Sequence, residues 1–414
     1  MAISGQLSAW EPRYARRAER MVASEIRELL KVLERPNVIS FAGGIPDPAL
    51  FPIAEIASAY AAAFADKTSA GTGLQYSVSE GYAPLRQWIA DYMGSLGVPC
   101  GSDNIVITNG AQQALEFLAR LFLSSGDTAL VTMPTYLGAL QAFAAYEPRY
   151  DELRPERGNR TPQSYAAAAG ARGGAVKFAY VVPDFANPTG TTLSPEARVN
   201  LLDLAQQLDI PILEDAAYSA LSFEGGPRPS ILALDIERCG SIEAARTFYC
   251  GTFSKTLSPG LRLGWIVAPQ ALIRRLVLIK QATDLNCATL NQIVIHRVAT
   301  AVFERQVAAA RAHYRLRRDR LLAALTREMP KGCHWSKPEG GLFVWLRLPD
   351  GMDSARLLGR AVEEAGVAFV PGAAFYFDRS GHDYLRLSYS LASEAEIDTG
   401  MARLAALIRA MAPS

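Results

Sequence analysis

Residues 104–123 read NIVITNGAQQALEFLARLFL. Asn104–Thr108 is a short β-branched run, the length of a strand and too short for a helix. Asn109 and Gly110 break it, and AQQALEFLARLFL then follows a helical pattern. Strand, glycine turn and helix in succession are the unit from which α/β folds are built.

Outward from this unit the rhythm recurs. Short apolar runs at Ala129–Met133, Lys177–Val182, Pro211–Glu214, Thr247–Gly251 and Leu263–Ala268 alternate with helical stretches such as SPEARVNLLDLAQQL. The alternation predicts an α/β fold with a large domain, residues 47–290, whose mostly parallel sheet is flanked by helices. Beyond residue 270 a long helical region, with basic patches such as HYRLRRDRLLAAL, leads into strand-like GGLFVWLRLP and YLRLSYS. This change predicts a smaller α+β domain, residues 291–414. A charged, helix-prone stretch over 13–35, ended by Pro36, and the turn-rich SFAGGIPDPALFP open the chain. Residues 1–46 read as an arm and helix belonging to the small domain.

Composition excludes several classes of function. The 414 residues carry 42 Lys and Arg against 41 Asp and Glu, a net charge of +1, which points away from nucleic acid as a partner. The five cysteines are scattered without a CxxC pair and the four histidines are isolated, so no metal site is expected and a reduced, cytoplasmic setting fits. The N-terminus lacks an apolar signal core, and no apolar run reaches the roughly 18 residues of a membrane span.

In open parallel sheets, ligands sit beyond the carboxyl ends of the strands. Four of the predicted strand ends carry reactive or ligand-binding side chains. They present the turn Asn109-Gly110-Ala111-Gln112, then Asn187, then Asp215 with Tyr218, then Thr252, Ser254 and Lys255. A glycine turn opening a helix can cradle a phosphate on free amides, although many such turns only connect elements. Arg262 adds a planar fork for phosphate oxygens, and a lysine beside such a site is placed to form an imine. The alternative for Lys255 is an exposed loop lysine. Asp215, ending an apolar strand, needs a cationic or hydrogen-bonding partner unless it caps a helix. Arg386, in the apolar strand YLRLSYS, needs an anion.

In order along the chain, SFAGGIPDPALFP, LQYSVSEGYAPLR, NGAQQAL, MPTYLGAL, PDFANPTG, EDAAY, GTFSKTLSPGLRLGW, EGGLFVWLRLP and YLRLSYS resemble the fold-type I pyridoxal-phosphate enzymes. More narrowly, they resemble class I aminotransferases of the kynurenine/α-aminoadipate group. The resemblance implies that Lys255 holds pyridoxal phosphate as a Schiff base and shuttles the Cα proton. Asp215 is implied to hold the pyridinium proton, Tyr218 and Asn187 to bond the ring oxygen, and Tyr136 to stack on the ring. Gly110, Ala111, Gln112, Thr252, Ser254 and Arg262 are implied phosphate ligands, joined by Tyr76 from a second subunit of a homodimer. Arg386 and Asn187, with Gly44, are implied to take the substrate α-carboxylate. Two positions depart from the usual pattern. Ala111 stands where a hydroxyl residue is common, leaving only its amide, and Thr252 replaces a serine.

The implied reaction moves the amino group of an L-amino acid to a 2-oxo acid, with 2-oxoglutarate the expected acceptor, by ping-pong kinetics. A dicarboxylate needs a second cation, for which Arg27 is the candidate; the alternative is a solvated helix face. Phe375, Tyr376 and Leu285 are candidates for an apolar lining. A β-lyase, a cyclopropane-forming synthase or a decarboxylating transaminase could use the same scaffold. A non-enzymatic regulator would need a DNA-binding module, for which the residues before Pro36 leave little room.

Overall fold

The computed structural model describes residues 10–20, 37–225 and 228–412. At its centre is a seven-stranded sheet. Its strands are β1 (Ile105–Thr108), β2 (Thr128–Thr132), β3 (Arg149–Leu153), β4 (Val176–Val181), β5 (Ile212–Asp215), β6 (Thr247–Thr252) and β7 (Gly264–Val267). Their order across the sheet is β1-β7-β6-β5-β4-β2-β3. All neighbours pair parallel except β7, which runs antiparallel to both β1 and β6. The carboxyl ends of the other strands therefore share one edge, and the amino end of β7 joins them there.

Both faces of this sheet are covered. Phe117, Val131, Phe178, Leu213 and Ile266 are buried on one side; Ile107, Val181, Ile212 and Val267 are buried against other clusters. Burial on both faces is why the strands read as continuous apolar runs rather than alternating ones. Strand β3 escapes that reading. Its sequence RYDEL is polar, and it is an edge strand paired only with β2, so one flank needs no apolar cover.

The amphipathic helix α1 (Ala111–Phe122) follows β1 directly, with Ala114, Leu115 and Leu118 buried. The 40-residue helix α2 (Thr289–Glu328) packs on the large sheet's flanking helices through Val294, Val298 and Val302, and against the small sheet's side through Tyr314 and Leu321. The small sheet contains β8 (His334–Trp335), β9 (Phe343–Arg347), β10 (Val370–Pro371) and β11 (Tyr384–Ser388), in the order β10-β11-β9-β8, all antiparallel. Near the start of the described chain, Ile39–Ser40 pairs parallel with Val367–Ala368. Of the expected helix over 13–35, Arg13 ends one 3-10 turn, Glu11–Arg13, Arg16–Arg20 form another, and residues 21–35 lie outside the described residues. No described helix is long and apolar enough to cross a membrane.

The loop after β4 is anchored from below. Arg198 is 1% exposed, and its guanidinium donates to the Asp184 carboxylate and to the carbonyls of Pro183 and Pro229. Removing one member of a buried pair strands the other charge. Arg198→Met is expected to lower stability by about 3–5 kcal/mol, seen as a lower urea midpoint at unchanged slope.

Candidate active site

The edge where the strand ends meet gathers the residues of interest. Each arrives by a different route. Gly110 closes β1 with φ 78° and starts α1 with no side-chain cap, so the first amides of that helix face the edge unfilled by a cap. Asp215 is the last residue of β5, and Lys255 follows β6 by three residues. Arg262 precedes β7; the reversal of that strand is what returns it to the same edge.

The glycine turn and Arg262 are in contact. Arg262, itself at φ 55°, donates to the Asn109 carbonyl at 3.2 Å and to the Pro259 carbonyl at 3.3 Å. Below the turn, Asp284 accepts from Asn109 Nδ2 at 2.6 Å and Gln113 Nε2 at 2.9 Å, and is paired with the buried Lys280 at 3.0 Å. Helix amides and an arginine fork make this turn a site for an anion. Gln112 turns its amide to the Gly138 carbonyl at 2.6 Å, leaving only its backbone toward the turn. Thr252 points inward and accepts from the Ser254 amide at 3.1 Å.

Lys255 is half-buried, and its Nζ donates to the Gly44 carbonyl at 2.9 Å. Desolvation, with repulsion from Arg386 and Arg262, pushes the amine down to about 8. Asp215 is buried, and desolvation raises its carboxyl to about 6 even though it accepts from Tyr180 Oη at 2.8 Å. Its other oxygen, Oδ1, has no hydrogen-bond partner among the described residues. Arg386 reaches across from the small sheet. Its Nη1 donates to Asn187 Oδ1 at 2.7 Å and its Nη2 to the Ala42 carbonyl at 2.6 Å, while Nε is buried with no partner among the described residues. The guanidinium carbon lies 4.3 Å from the ring centre of Phe343 and 5.1 Å from that of Phe375. Burial lowers its basicity to about 10, which still leaves it charged at neutral pH. Asn187 also bonds Tyr218, whose hydroxyl burial pushes well up.

The structure thus brings Lys255, Asp215, Asn187, Tyr218, Arg386 and Gly44 together, with the Gly110 turn, Ser254 and Arg262 beside them. Tyr136 stands at the start of the helix after β2, 3.5 Å from Gln112. Tyr76 is 80% exposed and Leu285 51%, so neither lines this site from within one chain. Phe375 is fully buried beneath Arg386, which makes it the floor of the guanidinium rather than an open lining; Tyr376 packs partly buried beside it. Arg27 lies outside the described residues. Among the described residues no cluster of His, Cys, Asp or Glu could hold a metal.

Residues 37–404 match the family described as aminotransferase class I and II. The chain belongs to that family. Among its relatives is the aromatic-amino-acid aminotransferase 1 of Thermococcus litoralis, 39% identical over 97% of this chain and 95% of that one. The 2-aminoadipate transaminase of Thermus thermophilus is 38% identical over 97% and 98%. A kynurenine aminotransferase from Pyrococcus horikoshii, solved in complex with PMP, superposes with a TM-score of 0.90 at 39% identity, covering 99% of this chain and 100% of that one. This aminotransferase uses pyridoxal phosphate, and its site fits the cofactor: an unpartnered buried carboxylate oxygen, a lysine of lowered basicity and an uncapped helix start are all present.

Sequence reasoning missed Tyr180, Phe343 and the Ala42 carbonyl. Tyr180 did carry a signal, standing near the end of the strand beside Asp215. Gly44 has a steric reason to be glycine, since a Cβ there would lie 2.5 Å from the Phe343 ring. Gly110→Ala would place its Cβ 2.6 Å from Arg262 Nη2 in a left-handed backbone. It is expected to cost about 1–3 kcal/mol and to weaken cofactor retention, measured by thermal unfolding and by cofactor content after dialysis.

Proposed function

We propose that Lys255 bonds pyridoxal phosphate covalently and, once released, moves the substrate Cα proton. One observation carries the reading: an enclosed amine of lowered basicity beside a carboxylate whose second oxygen has no protein partner. When bound, the cofactor supplies an electron sink for that proton's loss. An amine titrating at about 8 keeps a usable neutral fraction at physiological pH, so it can attack a carbonyl carbon and accept a proton. Asp215 holds a proton at the ring nitrogen through Oδ1. Asn187, its oxygen taken by Arg386, keeps Nδ2 to donate alongside Tyr218 toward the ring oxygen. Tyr136 would cover a ring face, Gly110, Ala111, Gln112, Ser254 and Arg262 would hold the phosphate, and Thr252 would support the Ser254 amide from behind.

Arg386 takes the substrate α-carboxylate with Asn187 and the Gly44 segment. Its planar group lies over the rings of Phe343 and Phe375, and a fork positioned in this way suits bidentate pairing that orients the substrate at Cα. We infer a donor range of aromatic and long acidic amino acids, because relatives are named for aromatic amino acids, 2-aminoadipate and kynurenine. The acceptor is 2-oxoglutarate, with Arg27 taking a side-chain carboxylate.

The active unit is a homodimer, with Tyr76 reaching the partner's phosphate site. Exposed Leu74, Tyr76 and Val78 support this, with exposed Leu285 next to the Asn286 that Ser77 bonds, since exposed apolar groups brought near each other suit an interaction surface. Residues 47–290 and 291–414 act as large and small domains. Pairing of Ile39–Ser40 with Val367–Ala368 supports joining residues 1–46 to the small one.

The test offers purified enzyme a panel of amino acids with 2-oxoglutarate and identifies the products. Glutamate and the matching 2-oxo acid are expected, aromatic donors and 2-aminoadipate being fastest. Release of ammonia or carbon dioxide in their place would sink the reading. Lys255→Ala is expected to lower turnover by about 10³-fold.

A further inference from the structure

We propose that Tyr180 is a positioning residue that presents Asp215 to the cofactor ring with only one oxygen free. The inference rests on the reading that Asp215 faces that ring.

The geometry follows from the parallel register. Tyr180 pairs with Leu213 across β4 and β5, and Asp215 lies two residues beyond, so both side chains project from the same face of the sheet. Tyr180 is fully buried, its ring set edge-on to Phe143 at 5.5 Å and 84°, which leaves its hydroxyl one direction to point. That hydroxyl donates to Asp215 Oδ2 at 2.8 Å, and Oδ1 is left buried and unpartnered. A carboxylate bonded at both oxygens would be satisfied and inert; one bonded at neither would be free to rotate. Tyr180 holds Oδ2 in place and makes no bond to Oδ1.

The other groups that face Asp215 do not replace it. The Ala217 amide supports the carboxylate, Lys255 attracts it weakly, and Tyr218 and Cys250 stand near as buried neutral groups. Burial holds the Tyr180 hydroxyl protonated far above its ordinary range, so it stays a donor throughout the working pH range. By donating to the charged carboxylate it favours that form. Its loss therefore raises the pH at which Asp215 takes up a proton.

Tyr180→Phe keeps the ring and removes only the hydroxyl. In the holoenzyme, the acid limb of kcat against pH is expected to move up by about one pH unit, and cofactor release on dialysis to quicken about tenfold. Tyr165→Phe is the control for a purely structural loss. It removes a buried hydroxyl that bonds the Glu152 carbonyl at 2.8 Å, away from Asp215, and is expected to move neither readout. Tyr180→Phe with wild-type pH limb and release rate, or equal shifts in both variants, would overturn the proposal. A Lys255→Ala variant that kept its turnover would overturn the underlying reading instead.

Discussion

The guanidinium of Arg386 sits where three separate parts of the chain meet. It belongs to the small sheet, bonds the loop after β4 through Asn187, and bonds the N-terminal segment through the Ala42 carbonyl. A charge buried this deeply is costly unless its hydrogen-bonding capacity is met. The protein meets it incompletely, with two partners, two aromatic faces and one nitrogen left over. The same pattern recurs at Asp215, where one oxygen is satisfied and one is not. One deficit is a free cationic donor and the other a free carboxylate acceptor, so the native fold already carries the desolvation that binding there would otherwise incur.

Much of this was legible in the sequence, because the rule placing ligands at strand ends needs only the strands. Lys255, Asp215, Asn187 and the Gly110 turn each follow an apolar run that proved to be a strand, and Arg386 announced itself as an arginine among apolar neighbours. What escaped was set by contacts between distant segments. Tyr180 looks like any core tyrosine until the register with β5 is known. Phe343 and Phe375 become partners of Arg386 only through the pairing of β9, β10 and β11. Thr252, expected at the phosphate, turns inward to hold the Ser254 amide, a choice made by the local turn rather than by residue type. The edge strand β3 was missed because an unpaired flank removes the apolar continuity that marks its neighbours.

Arg262 shows how topology and chemistry are joined. The reversed strand β7 leaves Thr252, Lys255 and Arg262 on one hairpin-like excursion between β6 and β7. Gly251 and Gly264 allow that closeness. A Cβ on the first would meet the Trp265 ring at 2.2 Å, and one on the second would meet the Ala111 amide nitrogen at 2.8 Å. Lys255 and Arg262 therefore move as a unit with the sheet, which favours fixed geometry over adaptability.

The bond between Arg386 and Ala42 spans 344 positions of the chain. During synthesis the N-terminal segment leaves the ribosome first and must wait, its carbonyls hydrated, until β11 emerges. Lys255, Asp215 and the glycine turn can gather around β1 to β7 well before then. The half-built edge would hold the anion turn and the lysine but not the guanidinium, so the order of emergence sets the strand-end groups in place ahead of the small sheet's arginine.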